Sequence, residues 1–175
     1  MNLTGAELVR ETARAGFQAD VLEKVVRLFG LLEGLGTHAY LRPRLALKRG
    51  TALHLFHLDV PRLSVDVDLD YVGAVGRDEM LGERPKVDQA VEAVCRRLDL
   101  DVRHVPGEHA GGKWRLRYSR AMGGTGTLEL DLNFLLRAPL WPPVAMDSRV
   151  LAGTRVHAVP VLDLHVSHPI GFYQY

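Results

Sequence analysis

The clearest pattern along the chain is a strict two-residue alternation in Ser64-Val65-Asp66-Val67-Asp68-Leu69-Asp70. Val65, Val67 and Leu69 fall on one face and the three aspartates on the other, as in a half-buried β-strand. The alternation recurs in residues 127–134, where Leu128, Leu130, Leu132 and Phe134 oppose Glu129, Asp131 and Asn133. It recurs again in residues 114–118, with Arg115 and Arg117 between apolar neighbours. Gly123 to Gly126 separates these two runs and predicts a hairpin turn.

Helical spacing predicts three longer helices. Residues 4–15 open with Thr4 and Glu7 at capping-box spacing. Residues 20–33 open with Asp20 and Glu23 at the same spacing, bury Val21, Val25, Leu28 and Leu32, and are expected to stop at Gly34 and Gly36. Residues 87–98 turn Val87, Val91, Val94 and Cys95 inward. Gly73, Gly76, Gly82 and Pro85 predict a loop over residues 73–85. A short apolar strand before Gly50-Thr51, a short helix through Leu53, Phe56 and His57, strands over 102–105 and 156–162, and a Pro/Trp loop over 139–143 complete the reading. The expected fold class is α/β (α+β), a mixed β-sheet with helices packed on it.

The acidic face of the 64–70 strand carries the first candidate chemistry. Carboxylates at alternate strand positions lie about 6–7 Å apart and repel unless a positive charge sits among them. Mg²⁺ suits such oxygens and keeps its other positions for water and substrate phosphates. A solvated acidic edge strand is the plainer alternative. Gly50 permits close approach of a ligand to the backbone. Thr51 stands at the start of the short helix, whose free N–H groups suit a phosphate.

These residues resemble a known family. Lys48-Arg49-Gly50-Thr51-Ala52-Leu53, followed by Arg62-Leu63-Ser64-Val65-Asp66-Val67-Asp68-Leu69, is similar to the motifs of the AbiEii/AbiGii-type toxin nucleotidyltransferases of toxin–antitoxin and phage-defence systems. The similarity is close over about residues 40–72 and looser through residues 128–134. It implies a minimal nucleotidyltransferase fold and a metal-dependent transfer of NMP from an NTP to an acceptor, RNA such as tRNA. It implies Mg²⁺ or Mn²⁺ as cofactor and a cognate antitoxin protein as partner. Asp66, Asp68 and Asp131 become the expected catalytic and metal-binding residues, and Lys48, Gly50, Thr51 and Ser64 the expected nucleotide-binding residues. Glu129 is the next candidate after Asp131. Two features depart from the family pattern. Arg49 stands where the family has the first glycine of a pair, and residues after about 163 lack the expected helix, as in a truncated, frame-altered or unusually small member. Both keep open a catalytically impaired nucleotide-binding or protein-interaction module of the same fold.

Composition narrows the picture further. The 175 residues fit a single domain, and a formal net charge of +1 gives no general field for polyanions. A lone cysteine, Cys95, excludes an internal disulfide and fits a reducing cytoplasm. No apolar run is long enough to span a membrane. The eight histidines form no zinc-binding spacing. Lys113, Arg115 and Arg117 share one strand face, which suits either contacts to a nucleic-acid backbone or triphosphate or a basic solvated hairpin, and Arg137 is a further candidate for a phosphate contact. Arg10, Arg14, Lys24 and Arg27 are expected on a solvated helix face, with a nucleic-acid contact as the alternative.

Overall fold

The computed structural model describes residues 4–15, 18–53, 65–105, 111–147 and 155–158. The elements in chain order are α1 (Gly5–Ala15), α2 (Ala19–Thr37), β1 (Leu45–Leu47), α3 (Arg49–Ala52), β2 (Val67–Tyr71), α4 (Arg77–Arg97), β3 (Asp101–Val105), β4 (Gly111–Ser119), β5 (Thr125–Asn133), β6 (Val144–Asp147) and β7 (Arg155–Ala158). The strands form one mixed sheet in the order β3-β4-β5-β2-β1-β7-β6. β2 and β5 run parallel at its centre, with Asp68 beside Asp131 and Asp70 beside Asn133. β1 is antiparallel to β2, and β4 is antiparallel to β5.

The alternations at β4 and β5 settle which way the sheet faces. Trp114, Leu116, Tyr118, Leu128, Leu130, Leu132 and Phe134 are all buried, and they join Val67 and Leu69 of β2 in one core. Their strand neighbours Lys113, Arg115 and Arg117 are exposed on the opposite side. α2 and α4 supply the helical half of the core through residues such as Leu28, Leu32, Val91 and Val94. Cys95 lies in that core, and burial pushes its thiol up to about 12, as expected of a packing residue.

Helix ends follow the expectations only where local chemistry controls them. The Thr4–Glu7 capping box forms, with Thr4 N–H donating to Glu7 Oε2 at 2.9 Å and Glu7 N–H to Thr4 Oγ1 at 3.3 Å. At α2 the expected box does not form. Arg120 donates to Asp20 and the Ala121 N–H to Glu23, both at 2.9 Å, so both carboxylates hold the β4–β5 turn instead. α2 also runs through Gly34 and Gly36 to Thr37. A Cβ at Gly34 would stand 2.8 Å from Val94 Cγ1, so this glycine lets α2 and α4 approach rather than ending the helix.

The expected loop over residues 73–85 is replaced from Arg77 onward by the first turns of α4, despite Pro85 inside the helix. Tertiary anchors offset the weak local propensity. Arg44 forks onto Glu83 through Nε at 2.8 Å and Nη2 at 2.9 Å, and Tyr71 donates to Glu83 at 2.6 Å. Arg84 lies over the Phe134 ring. Arg27, expected on a solvated face, instead stacks on Tyr118 and donates to the Ser119 carbonyl at 3.1 Å. β6 was not foreseen; it follows directly after the Pro/Trp loop and pairs with β7. Phe56, His54 and His57, and most of the expected strand at 156–162, lie outside the described residues.

Candidate active site

The site grows from the central parallel pair. In-register neighbours on adjacent strands point to the same side, about 4.8 Å apart along the hydrogen-bonding direction, so Asp68 of β2 and Asp131 of β5 are paired on the face away from the helices. Asp68 is half-buried. Its carboxyl lies above the ordinary aspartate range because burial penalises its charge, and the charge of Asp131 adds to this, while Arg49 and Lys48 oppose it. Asp66, exposed just before β2, contributes with Asp131 to raising the Lys113 ammonium, whose largest perturbation is its hydrogen bond to Glu129. Asp66, Asp68, Asp131 and Lys113 thus share one neighbourhood.

Asp70 has a different setting. It is buried beside Lys48, which is itself only 2% exposed, and the two form an ion pair. Asn133 Nδ2 donates to the same carboxylate at 2.7 Å. Lys48, expected to bind nucleotide, therefore points its ammonium into the sheet. Asn133 was visible only as a polar position on an alternating strand; its partner became apparent only through the β2–β5 register.

The turn that follows β1 brings a second cation to Asp68. Arg49 adopts φ +61°, in the left-handed region. For a residue with a Cβ that conformation costs roughly 1–2 kcal/mol, while glycine takes it freely. The backbone here thus has the shape that the family pattern fills with glycine. Arg49 Nη1 donates to Asp68 Oδ1 at 2.7 Å, and this ion pair offsets the strain. Gly50 is exposed in the same turn. Thr51 is buried, and its hydroxyl donates to the Asp66 carbonyl. Thr51 therefore clips α3 to the start of β2. Ser64 lies outside the described residues.

Glu129 is engaged by Lys113 at 2.8 Å and Arg115 at 3.2 Å, which together hold its carboxyl below the usual range. Arg137 donates to the carbonyls of Val75 at 3.0 Å and Phe134 at 2.7 Å, so it fastens the end of β5 to the loop after β2. Among the described residues no three acidic, histidine or cysteine side chains already surround a point as metal ligands would. The donor chemistry nevertheless fits a hard divalent cation. Two carboxylates are juxtaposed, a third lies at the strand entrance, and a positive group, the Arg49 guanidinium, already sits against one of them.

The fold has relatives among solved structures. MenT4, a nucleotidyltransferase toxin from Mycobacterium tuberculosis H37Rv, superposes with a TM-score of 0.63 at 20% identity, over 94% of this chain and 57% of that one. JHP933 from Helicobacter pylori gives a TM-score of 0.59 at 14% identity, over 86% of this chain and 56% of that one. The chain thus spans a little over half the length of these two structures. The architecture is that of a nucleotidyltransferase domain. The family model described as nucleotidyl transferase AbiEii toxin, type IV toxin–antitoxin system, matches residues 31–166, and the chain belongs to that family. A comparison with curated proteins finds no significant match. Among the described residues no helix is long and apolar enough to cross a membrane.

Proposed function

We propose that residues 1–175 form one nucleotidyltransferase-like domain that transfers a nucleoside monophosphate from an NTP to a hydroxyl of an RNA acceptor, such as tRNA. In this reading it acts in the cytoplasm as the toxin of a pair with a cognate antitoxin. The observation that carries it is the register of Asp68 against Asp131 on the face of the sheet opposite its apolar core.

Asp66, Asp68 and Asp131 would hold a divalent cation, Mg²⁺ or Mn²⁺. Bound there, the cation neutralises charge on the triphosphate and on the leaving pyrophosphate. Asp131 takes the proton of the acceptor hydroxyl as its oxygen bonds to the α-phosphorus. The bond from the α-phosphorus to the bridging oxygen breaks, and pyrophosphate departs with the electron pair. Gly50, exposed in the α3 turn, lets the triphosphate approach the main chain. Thr51 keeps that turn fixed to β2, and Ser64 is assigned to the nucleotide through the family motif. Lys113, Arg115 and Arg117 lie on the same face as Asp131, with Arg103 in register beside Arg115. These four cations suit an acceptor's phosphate backbone.

A transfer assay with labelled NTPs, RNA and protein acceptors tests the proposal. Label should pass to RNA only with divalent cation. Asp131→Asn should lower kcat by roughly 10²–10⁴-fold, the range for a lost general base, with a smaller change in NTP affinity. Transfer to protein alone, or an undiminished Asp131→Asn enzyme, would sink it. The second reading, an impaired nucleotide-binding or protein-interaction module, draws on the Arg49–Asp68 pair. It predicts nucleotide binding without transfer to any acceptor.

A further inference from the structure

We infer that Arg49 is a tethered counter-cation for Asp68 that a divalent cation must displace, and that the nucleotide's phosphates draw it away. Metal and nucleotide then load the site together rather than separately. The inference rests on the reading of Asp68 as a metal ligand.

Three features of the Arg49 side chain support it. Its Nη1 occupies Asp68 Oδ1 at 2.7 Å, so the carboxylate already has a cation. Its Nε is buried with no hydrogen-bond partner among the described residues, so the guanidinium is only partly satisfied by them. Its side chain is 38% exposed, which leaves it free to turn toward solvent. The backbone adds a fourth feature, because φ +61° holds a side chain where glycine would leave open space.

The neighbouring cation cannot play this part. Lys48 is buried and held by Asp70, with Asn133 sharing that carboxylate. Arg49, in the α3 turn itself, is the cation that pairs with Asp68 among the described residues. A guanidinium offers a planar fork of N–H donors that matches phosphate oxygens, including an outlet for the unpartnered Nε. Movement from Asp68 to a phosphate exchanges one charge-assisted bond for another and bares Asp68 to metal. By linkage, metal bound at Asp68 favours the released guanidinium and therefore the nucleotide.

The test is a titration of the full chain with Mn²⁺ alone, followed by the electron-spin signal of the free ion. Arg49→Gly should bind Mn²⁺ about tenfold or more tightly than the natural chain, the equivalent of one lost charge-assisted competitor. In the presence of EDTA, the same variant should bind a non-hydrolysable NTP analogue several-fold more weakly, roughly the loss of one phosphate contact. Adding Asp68→Asn should remove the gain in Mn²⁺ affinity. Arg49→Asn serves as a second variant, since asparagine tolerates the left-handed backbone, and it should show the same gain. Unchanged or weaker Mn²⁺ binding in both Arg49 variants overturns the inference, as does a gain that survives Asp68→Asn. The two readings fail separately. RNA labelling by the natural chain without any Mn²⁺ gain in the variants removes only the counter-cation. A Mn²⁺ gain that needs Asp68, without transfer to any acceptor, supports the counter-cation and removes the transfer reading.

Discussion

Asp68 and Asp70 stand two residues apart on one face of one strand, yet their depth and partners differ. Asp70 is 5% exposed and bound by Lys48 and Asn133. Asp68 is half-buried, faces the like charge of Asp131, and is paired, among the described residues, with the end of a partly exposed arginine, Arg49. The inner carboxylate closes a polar clamp across three adjacent segments: the residue after β1, β2 and β5. The outer one faces the like charge of Asp131 and is countered by the Arg49 guanidinium at the edge of the α3 turn. Two aspartates on one strand face thus differ in setting, and under the proposed function the inner one supports the fold while the outer one serves the chemistry.

The sharpest test of this division removes the support. Lys48→Met should destabilise the fold by about 3–5 kcal/mol, because it strands a buried carboxylate. Lys48→Met combined with Asp70→Leu should recover much of that loss, since an apolar pair of similar volume avoids the desolvation penalty. Urea denaturation reads both. A double variant as unstable as the single one would show that Asp70 does not depend on Lys48.

A smaller effect concerns the far end of the inner region, where Tyr71 and Arg44 bind Glu83. These hydrogen bonds hold the Glu83 carboxyl at about 2, well below its unfolded value near 4.5. A depressed carboxylate stabilises the fold above the unfolded value, and that contribution is lost as pH falls through the folded value. Thermal melting should therefore drop between about pH 4.5 and pH 2. Glu83→Gln should flatten that part of the profile and cost about 1.5 kcal/mol at neutral pH, the low end for a bond to a charged partner. An unchanged acid profile in Glu83→Gln would detach Glu83 from the fold's support.

The smallest stability change belongs to the outer carboxylate. Asp68→Asn should shift unfolding by no more than about 0.5 kcal/mol, as for a substitution away from a committed network, because it ends both the burial cost and the repulsion from Asp131 along with the Arg49 ion pair. RNA labelling should nevertheless fall below detection. A loss of several kcal/mol would move Asp68 into the same class as Asp70.

Much of the central sheet was legible in the sequence because β4 and β5 each bury one face and β2 sends its apolar residues to the same core, and alternation reports that directly. The pairing of Asp68 with Asp131 was legible as a shared face, although not as a register. The parts that escaped depend on distant partners. Nothing near Lys48 in the chain reveals that its ammonium turns inward to Asp70, and nothing near Asn133 reveals which carboxylate it serves. The start of α4 was hidden by Gly82 and Pro85, whose local preferences are overridden by Arg44, Tyr71 and Phe134. Gly34 read as a stop because its real role is a contact with Val94, sixty positions away.

The parallel pairing of β2 with β5 has a consequence in time. Parallel neighbours need a long crossover, and here α4, β3 and β4 all intervene before Asp131 reaches Asp68. Contacts this remote in the chain form slowly, after local structure has paid much of the loop-closure entropy. During synthesis, the segment carrying Asp66 and Asp68 emerges with Lys48 and Arg49 but without β5. An unfinished chain therefore has Arg49 and Asp68 before Asp131 is made, and the order of synthesis itself delays assembly of the proposed site until most of the domain exists.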